Sequence, residues 1–268
     1  MPELPELEVI KNFLNQNVIG VKIEDVKVRQ PLVIRCLLND FTASLCDNSF
    51  RQVERRGKFL LLHLEKDVSL VINLMLSGRL QYIREKSHLN PKTCFQLILS
   101  NQTELRYFDM KFMGRIYLAK NNDFSHIPQF EELGMDPLSG EFTLERFREG
   151  LKNRWGMIKN VITNQRFISG IGNAYSDEIL FMAGISPLRK STTLLPQEIE
   201  RLHTAIRKVL SDSIDIISKQ TGENIHKQNR DFFQVHGRGS MNCAICAYPI
   251  TELKPDGKIT NYCRVCQK

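Results

Sequence analysis

The sequence predicts a multidomain α+β protein, with an N-terminal β-sandwich, a helical domain and a C-terminal zinc finger. Three observations predict this class. Apolar residues form short strand-like runs up to about residue 130, they follow a helical period beyond it, and four cysteines stand in two pairs near the end. We expect domains at 1–130, 131–225 and 226–268, with the turn-rich stretch Gly134–Gly140 as a linker.

The first domain is predicted from strand-like runs that polar turns separate. A helix over Glu6–Gln16 precedes them, because its apolar residues share one face, and it leaves Pro2 and Glu3 just before a helix N-terminus. Consecutive short strands indicate an antiparallel sandwich or barrel. The predicted strands are Lys58–Leu64, Ser69–Leu74, Phe95–Leu99, Glu104–Phe108 and Gly114–Leu118.

The second half of the chain has helical periodicity. We expect helices over Leu144–Asn164, with a break near Gly156, and over Asn173–Met182 and Gln197–Lys219. A polar loop, Gln220–Arg230, separates the last helix from the cysteine-containing segment.

The four C-terminal cysteines have the spacing of a structural zinc site. Cys243 and Cys246, and Cys263 and Cys266, form two C-x2-C pairs with sixteen residues between them. That spacing suits two tight knuckles joined by a hairpin, and zinc is favoured over disulfides in a chain without an export signal. The remaining cysteines are predicted to be buried small hydrophobic residues: Cys36, Cys46 and Cys94.

Charge narrows the class of partner. The 268-residue chain carries a net charge of +7, which is common in nucleic-acid binders and also occurs in ribosome-associated and membrane-surface proteins. No apolar run is long enough to span a membrane, and the N-terminus lacks the pattern of a secretory signal. We therefore expect a soluble intracellular protein.

The first residues offer unusual chemistry. If Met1 is removed, Pro2 presents a secondary amine that titrates below a lysine and can attack an electrophilic sugar carbon to form a Schiff base. The carboxylates of Glu3 and Glu6 could then move protons to and from the sugar or the leaving base. Taken alone, Pro-Glu is also simply a good helix start.

Two further stretches have features of phosphate binding. Gly170 and Gly172 allow a tight turn into a helix near Asn173, where backbone N–H groups and an amide could bind phosphate. A plain helical corner would use the same glycines. The zinc hairpin carries Lys254 and Lys258, so it could lie along a phosphate backbone or be a structural clip only.

These motifs together resemble the formamidopyrimidine-DNA glycosylase family, which includes the endonuclease VIII-like enzymes. They are Met-Pro-Glu-Leu-Pro-Glu at the start, Gly-Ile-Gly-Asn-x-Tyr-x-Asp-Glu in the middle and a four-cysteine finger ending Cys-Gln-Lys. The resemblance runs from residue 2 to residue 268. It implies a β-sandwich joined to a helix–two-turn–helix domain with a zinc finger.

The resemblance also implies roles. Pro2 would be the nucleophile at C1′ of a damaged nucleoside, Glu3 the general acid/base, Glu6 a second acidic residue of the site, and Lys58 a lysine that binds phosphate and assists catalysis. Further implied positions are Lys159 as another lysine of the site, Asn173 as a phosphate ligand, Glu178 near the pocket, and Cys243, Cys246, Cys263 and Cys266 as zinc ligands.

The sequence departs from the family pattern where lesions are read. Leu76 stands at the wedge position where methionine is usual, with Met75 adjacent. Lys111 and Met113 replace the arginine and phenylalanine that fill the void, and Lys258 replaces the arginine of the hairpin. Lysine lacks the forked contact of arginine, so we expect relaxed discrimination of the base opposite the lesion.

The leading hypothesis is a monomeric glycosylase and lyase of base excision repair. It would act on double-stranded DNA with oxidised purines such as formamidopyrimidines, 8-oxoguanine-type lesions or hydantoins. The base would be flipped from the stack, and β,δ-elimination would follow the Pro2 Schiff base. The alternatives are an endonuclease VIII-like specificity for oxidised pyrimidines and a zinc protein that binds damaged DNA without turnover.

Overall fold

The computed structural model describes residues 1–85, 87–254 and 257–268. Packing divides the chain into two compact units. The first comprises Met1–Glu131 and Ile217–Gln228, and the second comprises Glu132–Ile216 and Asn229–Lys268. The further division of the second unit into a helical and a finger domain stays a prediction.

The first unit is a sandwich of two four-stranded antiparallel sheets. Its strands are β1 Ile23–Val28, β2 Phe50–Arg56, β3 Phe59–Leu64, β4 Val68–Asn73, β5 Gly78–Ile83, β6 Thr93–Leu99, β7 Glu104–Asp109 and β8 Arg115–Lys120. One sheet has the strand order β1-β6-β7-β5 and the other β2-β3-β4-β8. Of the two expected architectures, sandwich and barrel, the structure has the sandwich.

The core of this unit lies between the sheets and is closed by two helices, α1 (Leu4–Asn17) and α2 (Leu38–Leu45). Alternate residues of a strand point to one face, so every second residue of β3 enters the core. Leu7, Ile10 and Leu14 form the buried stripe of α1, which packs against β2 and β3. This packing fixes the N-terminal end of α1 relative to the second sheet.

The second unit is built from helices and a small hairpin. Its helices are α3 (Leu144–Lys152), α4 (Ile158–Ile162), α5 (Asn173–Ala183) and α6 (Pro196–Thr221), the last of which continues into the residues assigned to the first unit. Strands β9 (Thr251–Leu253) and β10 (Thr260–Tyr262) form the hairpin. Two short 3-10 helices lie at Pro31–Val33 and Ser191–Thr193.

Most predicted elements are confirmed, including the helix break near Gly156, where the backbone has φ +115°. The predicted helix over Glu6–Gln16 begins earlier, at Leu4, because Pro5 fits the first turn of a helix. No element was predicted for β1, β2, β5 or α2, whose apolar residues are too few or too irregular to give a clear period.

Two sequence expectations are wrong. Gly134–Gly140 is not a separate linker, because Gly134 and Met135 donate backbone hydrogen bonds to residues 165 and 167 within the second unit. Cys36 and Cys46 are only half-buried, and Cys94 alone of the three is fully buried.

Over the part of the chain that the structure describes, no helix is both long and apolar enough to cross a membrane.

Candidate functional site

The N-terminus of α1 brings Pro2, Glu3 and Glu6 together in the first unit. Glu3 is the N-cap residue and forms a capping box: its side chain accepts from the backbone N–H of Glu6, while its own N–H donates to Glu6 Oε2 at 2.9 Å. Both carboxylates are buried, at 3% exposure for Glu3 and 6% for Glu6, and Pro2 is buried beside them. A local helix-start motif thus fixes two carboxylates next to the predicted nucleophile.

A glutamine from far along the chain completes this arrangement. Gln228 Nε2 donates to Glu6 Oε1 at 3.1 Å and to the carbonyl of Met1 at 3.3 Å. Gln228 Oε1 accepts from Arg79 Nη2 at 3.1 Å. The polar loop that follows α6 therefore reaches the predicted catalytic carboxylates within the first unit. Sequence reasoning identified the loop but assigned no role to Gln228 or Arg79.

The loop is held to this unit at several points. Ile225 is part of the buried core, His226 packs edge-on against Phe108 with 6.3 Å between ring centroids, and Glu223 accepts from Arg84 Nε. Burial and nearby cations lower the pKa of His226 below its usual value. The shift favours the neutral form of its imidazole in the packed loop.

Lys58 lies in the two-residue turn between β2 and β3, and it is half-buried. A hydrogen bond to α1 holds the adjacent end of β2, since Arg55 Nε donates to Glu8 Oε2 at 2.7 Å. This ion pair, with its neighbour Lys11, lowers the pKa of Glu8 despite burial. Lys58 thus belongs to the same packed region as α1, and its catalytic role stays a prediction.

The predicted wedge is on the loop between β4 and β5. Leu76 is 47% exposed, whereas Met75 is half-buried with φ +50°, a conformation unusual for residues other than glycine. Met75 N donates to Asn73 Oδ1 at 3.1 Å and so fixes this turn. The exposed side chain at the apex is therefore leucine, and its role as a wedge stays a prediction.

Asp109 joins the wedge loop to the loop that carries Lys111 and Met113. Its Oδ1 accepts from Ser77 Oγ at 2.5 Å and from the backbone N–H of Lys111 at 3.1 Å. Its Oδ2 accepts from the backbone N–H of Gly114 at 2.7 Å and from the Tyr107 hydroxyl at 3.3 Å. This carboxylate is fully buried and holds both predicted lesion-reading loops in one geometry.

The loop after β7 exposes Lys111 and Met113 and turns Phe112 inward against the core. Its end requires glycine, because a Cβ at Gly114 would lie 1.7 Å from the Tyr107 hydroxyl oxygen. Burial and Asp109 raise the pKa of Tyr107 far above its usual value, so the hydroxyl remains a donor. The two predicted void-filling side chains are thus displayed to solvent on a fixed backbone.

In the second unit, Asn173 begins α5 after a glycine turn. Gly170 has φ +91°, and the Gln165 side chain fixes the turn by accepting from Gly170 N and donating to the carbonyl of Ile171. Asn173 Nδ2 donates to the carbonyl of Ile259 at 2.7 Å, and its buried Oδ1 has no hydrogen-bond partner among the described residues. The side-chain N–H of Asn173 is thus engaged by Ile259, and phosphate binding at this turn stays a prediction.

Lys159 is buried rather than displayed. Its ammonium donates to Asp177 Oδ1 at 2.6 Å, to Thr260 Oγ1 at 2.8 Å and to the carbonyl of Ile259 at 3.1 Å. Asp177 Oδ2 also contacts His236 Nδ1 at 2.7 Å. Lys159 therefore ties α4, α5 and the hairpin together, and a direct contact with DNA stays a prediction.

Glu178 lines a cavity of about 440 Å³ in the second unit, beside Phe181, Met182 and Phe233. Its carboxylate accepts from the backbone N–H groups of residues 234 to 236. Burial raises its pKa above the usual value, although these hydrogen bonds oppose the shift. Its contacts are structural, and a place beside the lesion pocket stays a prediction.

The four C-terminal cysteines form one cluster. All four Sγ atoms lie within 4.8 Å of one another, with 3.9 Å between Cys243 and Cys266 and 3.4 Å between Cys246 and Cys263. Tetrahedral zinc with sulfur at about 2.3 Å requires sulfur atoms roughly 3.8 Å apart, so the cluster fits this ion. The cluster could hold a metal ion, and Lys258 is exposed on the hairpin that it anchors.

Comparisons with known proteins agree with this fold and site. The chain matches the family models for the formamidopyrimidine-DNA glycosylase N-terminal domain over residues 1–116 and the H2TH domain over residues 133–224. It is 36% identical over 274 residues to a formamidopyrimidine-DNA glycosylase of Pelotomaculum thermopropionicum, covering 100% of this chain and 99% of the relative.

Solved structures show the same similarity. Lactococcus lactis Fpg (MutM) in complex with DNA containing an oxidised pyrimidine matches with a TM-score of 0.90 and 25% identity over 100% of both chains. Its complex with FAPY-dG-containing DNA matches with a TM-score of 0.90 and 25% identity over 99% of this chain and 100% of that one. Fold, site and comparisons together define the class of the chain as a DNA-repair glycosylase. The chain belongs to the formamidopyrimidine-DNA glycosylase family.

Proposed function

We propose that this protein is a bifunctional DNA glycosylase and AP lyase that removes oxidised purines through a Schiff base on Pro2. The observation that carries the proposal is the buried capping box, which holds the Glu3 and Glu6 carboxylates beside Pro2 at a helix N-terminus. A buried carboxylate next to an amine can exchange protons with it and with a leaving base.

The chemistry follows from these groups. The Pro2 nitrogen attacks C1′, the base leaves with a proton, and ring opening gives an iminium to the open-chain sugar. The iminium acidifies C2′, so loss of a C2′ proton expels the 3′ phosphate, and a second elimination expels the 5′ phosphate. Glu3 would carry the protons, Glu6 would fix Glu3 through its backbone N–H, and Lys58 would neutralise a phosphate.

The remaining assignments complete the proposal. Asn173, Lys258 and Lys159 would serve the DNA-binding surface, and Leu76, Lys111 and Met113 would fill the space of the flipped nucleotide. One zinc ion, held by the four clustered thiolates, would supply structural stabilisation of the hairpin. We propose a cytoplasmic monomer that acts on double-stranded damaged DNA.

Specificity for oxidised pyrimidines is a second proposal. It is favoured by the complex of Lactococcus lactis Fpg with DNA containing an oxidised pyrimidine, since a similar fold has been seen with such a lesion. A panel of duplexes with one formamidopyrimidine, 8-oxoguanine, hydantoin or oxidised pyrimidine separates the two by the ratio of initial rates.

Borohydride trapping on a duplex with one abasic site tests the mechanism. We expect a covalent protein–DNA band that is absent in protein that retains Met1 and weaker in Pro2→Gly, whose terminal primary amine can still form an imine. Tight binding of the same duplex without any trapped band in the wild type would refute the lyase and favour a damage-binding protein without turnover. Intact mass of the purified chain is the required control, because it reports whether the Pro2 amine is free to react.

A further inference from the structure

Trp155 is the only tryptophan of the chain, and its side chain is 83% exposed. Tryptophan usually buries most of its large apolar surface, and it is enriched where proteins bind partners. Trp155 lies between α3 and α4 in the second unit, outside every motif that the sequence analysis assigned to function.

The exposure of Trp155 is not a result of a loose loop end. On its N-terminal side, the carbonyl of Arg154 accepts from Ser191 Oγ at 2.7 Å, and Arg154 Nη1 donates to the carbonyl of Gly150 at 2.6 Å. On its C-terminal side, the carbonyl of Gly156 accepts from Ser191 N at 2.9 Å. Gly156 has φ +115°, which a side chain would disfavour, and this turn directs the chain into α4. The backbone on both sides of the indole is therefore fixed.

The surroundings of Trp155 are cationic and lead to the zinc hairpin. Lys190 is exposed and has no ion-pair partner among the described residues, and its backbone pairs with that of Met157. A small crevice begins at Met157 and Leu188 and reaches Lys258 on the hairpin. We call Trp155, Met157, Leu188, Lys190 and Lys258 the Trp155 edge.

We propose that the Trp155 edge is an additional nucleic-acid contact, in which the indole packs on the sugar–base surface of a strand and Lys190 lies at its phosphates. An exposed aromatic ring near a lysine without an ion-pair partner among the described residues is a combination that proteins use to bind nucleic-acid strands. An apolar protein partner would not require this lysine. The inference rests on the proposed DNA-binding role of Asn173 and Lys258, since these residues belong to the same unit.

Intrinsic fluorescence tests the proposal directly, because every photon of tryptophan emission comes from Trp155. Titration with an abasic-site duplex is expected to quench the emission and shift it to shorter wavelength. In an anisotropy assay with labelled duplex, Trp155→Ala is expected to bind about tenfold more weakly, which corresponds to about 1.4 kcal/mol, and Trp155→Phe is expected to recover part of the loss. Leu37→Ala, which truncates another exposed apolar side chain, is the matched control and should bind as the wild type does.

Salt dependence separates the two parts of the edge. Trp155→Ala should lower affinity equally at all salt concentrations, whereas Lys190→Ala should reduce the slope of log K against log salt by about 0.9, the contribution of one phosphate contact. Unchanged fluorescence on saturation with DNA, together with wild-type affinity of Trp155→Ala, would refute the proposal. Failure of the proposed catalytic function would look different, since the wild type would then give no borohydride-trapped product whatever the state of Trp155.

Discussion

Replacing Asp109 with asparagine is expected to loosen both predicted lesion-reading loops at once. The carboxylate accepts four hydrogen bonds, from Ser77 Oγ, Lys111 N, Gly114 N and the Tyr107 hydroxyl. An asparagine keeps the shape but replaces one acceptor oxygen with a donor NH2 group. In one orientation of the amide, Gly114 N loses this acceptor; in the other, Lys111 N loses it but keeps Ser77 Oγ, to which it also donates at 3.1 Å.

The expected loss of stability is worked out for the orientation of the new amide group that costs less free energy. Directing the amide oxygen toward Gly114 N preserves the buried bond, and Ser77 Oγ can accept from the NH2 group. Lys111 N then loses its hydrogen bond to the charged carboxylate while keeping Ser77 Oγ as an acceptor, and the loss of the charged acceptor costs about 1.5–3 kcal/mol. For a unit of this size we expect the midpoint of thermal unfolding to fall by about 4–10 °C.

The functional consequence should depend on the substrate. Filling the space of a flipped nucleotide matters only in a duplex, so D109N should cleave an abasic site in duplex DNA more slowly while retaining most of its activity on a single-stranded abasic oligonucleotide. Lys111→Ala is the matched control for stability, because it removes an exposed side chain and leaves the Lys111 backbone N–H in place.

Two measurements decide this prediction. Thermal unfolding followed by circular dichroism gives the stability change, and initial lyase rates on the two substrates give the ratio. If D109N unfolds at the wild-type temperature, Asp109 does not hold the loops as described. If both substrates slow equally, the residue acts on catalysis and not on duplex reading.

Three other changes test separate contacts. Lys111→Arg should increase the preference for one base opposite the lesion, because arginine can make a forked contact with that base. Initial rates on four duplexes that differ only in the opposite base measure this preference. Lys159→Met leaves the Asp177 carboxylate buried without its ammonium partner and should destabilise the second unit by about 3–5 kcal/mol. Urea unfolding measures the loss, and a wild-type unfolding midpoint would contradict it. Burial lowers the pKa of His226 below its value in the unfolded chain, so the unfolded chain binds more protons and the free energy of unfolding decreases as pH falls below about 6.5. His226→Leu should reduce this loss of stability. The urea unfolding midpoints of the variant and the wild type at pH 7.5 and pH 5.5 measure it.

The parts of the fold and site that could be predicted from the sequence are those that depend on residues close to one another along the chain. The two C-x2-C pairs place four thiolates in one cluster because each pair closes its own knuckle. Pro2, Glu3 and Glu6 were predicted together because an amine and two carboxylates stand within five consecutive positions at a helix start, and the capping box that fixes the carboxylates spans only Glu3 to Glu6. Such motifs require no knowledge of the rest of the chain.

The parts that could not be predicted depend on contacts between distant residues. Asp109 lies 32 residues from Ser77 in the sequence, and Gln228 lies 222 residues from Glu6. Nothing in the local pattern distinguishes Asp109 from any acidic residue at a strand end. Lys159 was assigned to DNA from a motif, and only the packing of α5 against the hairpin shows that its ammonium is engaged by Asp177 and Thr260.

This difference between local and distant contacts has a consequence for specificity. The carboxylates beside Pro2 are fixed by the first turn of α1, so substitutions in the loops after β4 and β7 leave that geometry in place. The backbones of those loops are fixed by Asp109, which bonds to main-chain N–H groups and to Ser77 and not to the side chains of Leu76, Lys111 or Met113. The side chains predicted to read DNA can therefore change without altering either the loop backbone or the proposed Schiff-base chemistry. On this reasoning, swapping Lys111 and Met113 for arginine and phenylalanine alters lesion and opposite-base preference while single-stranded lyase activity stays at the wild-type level.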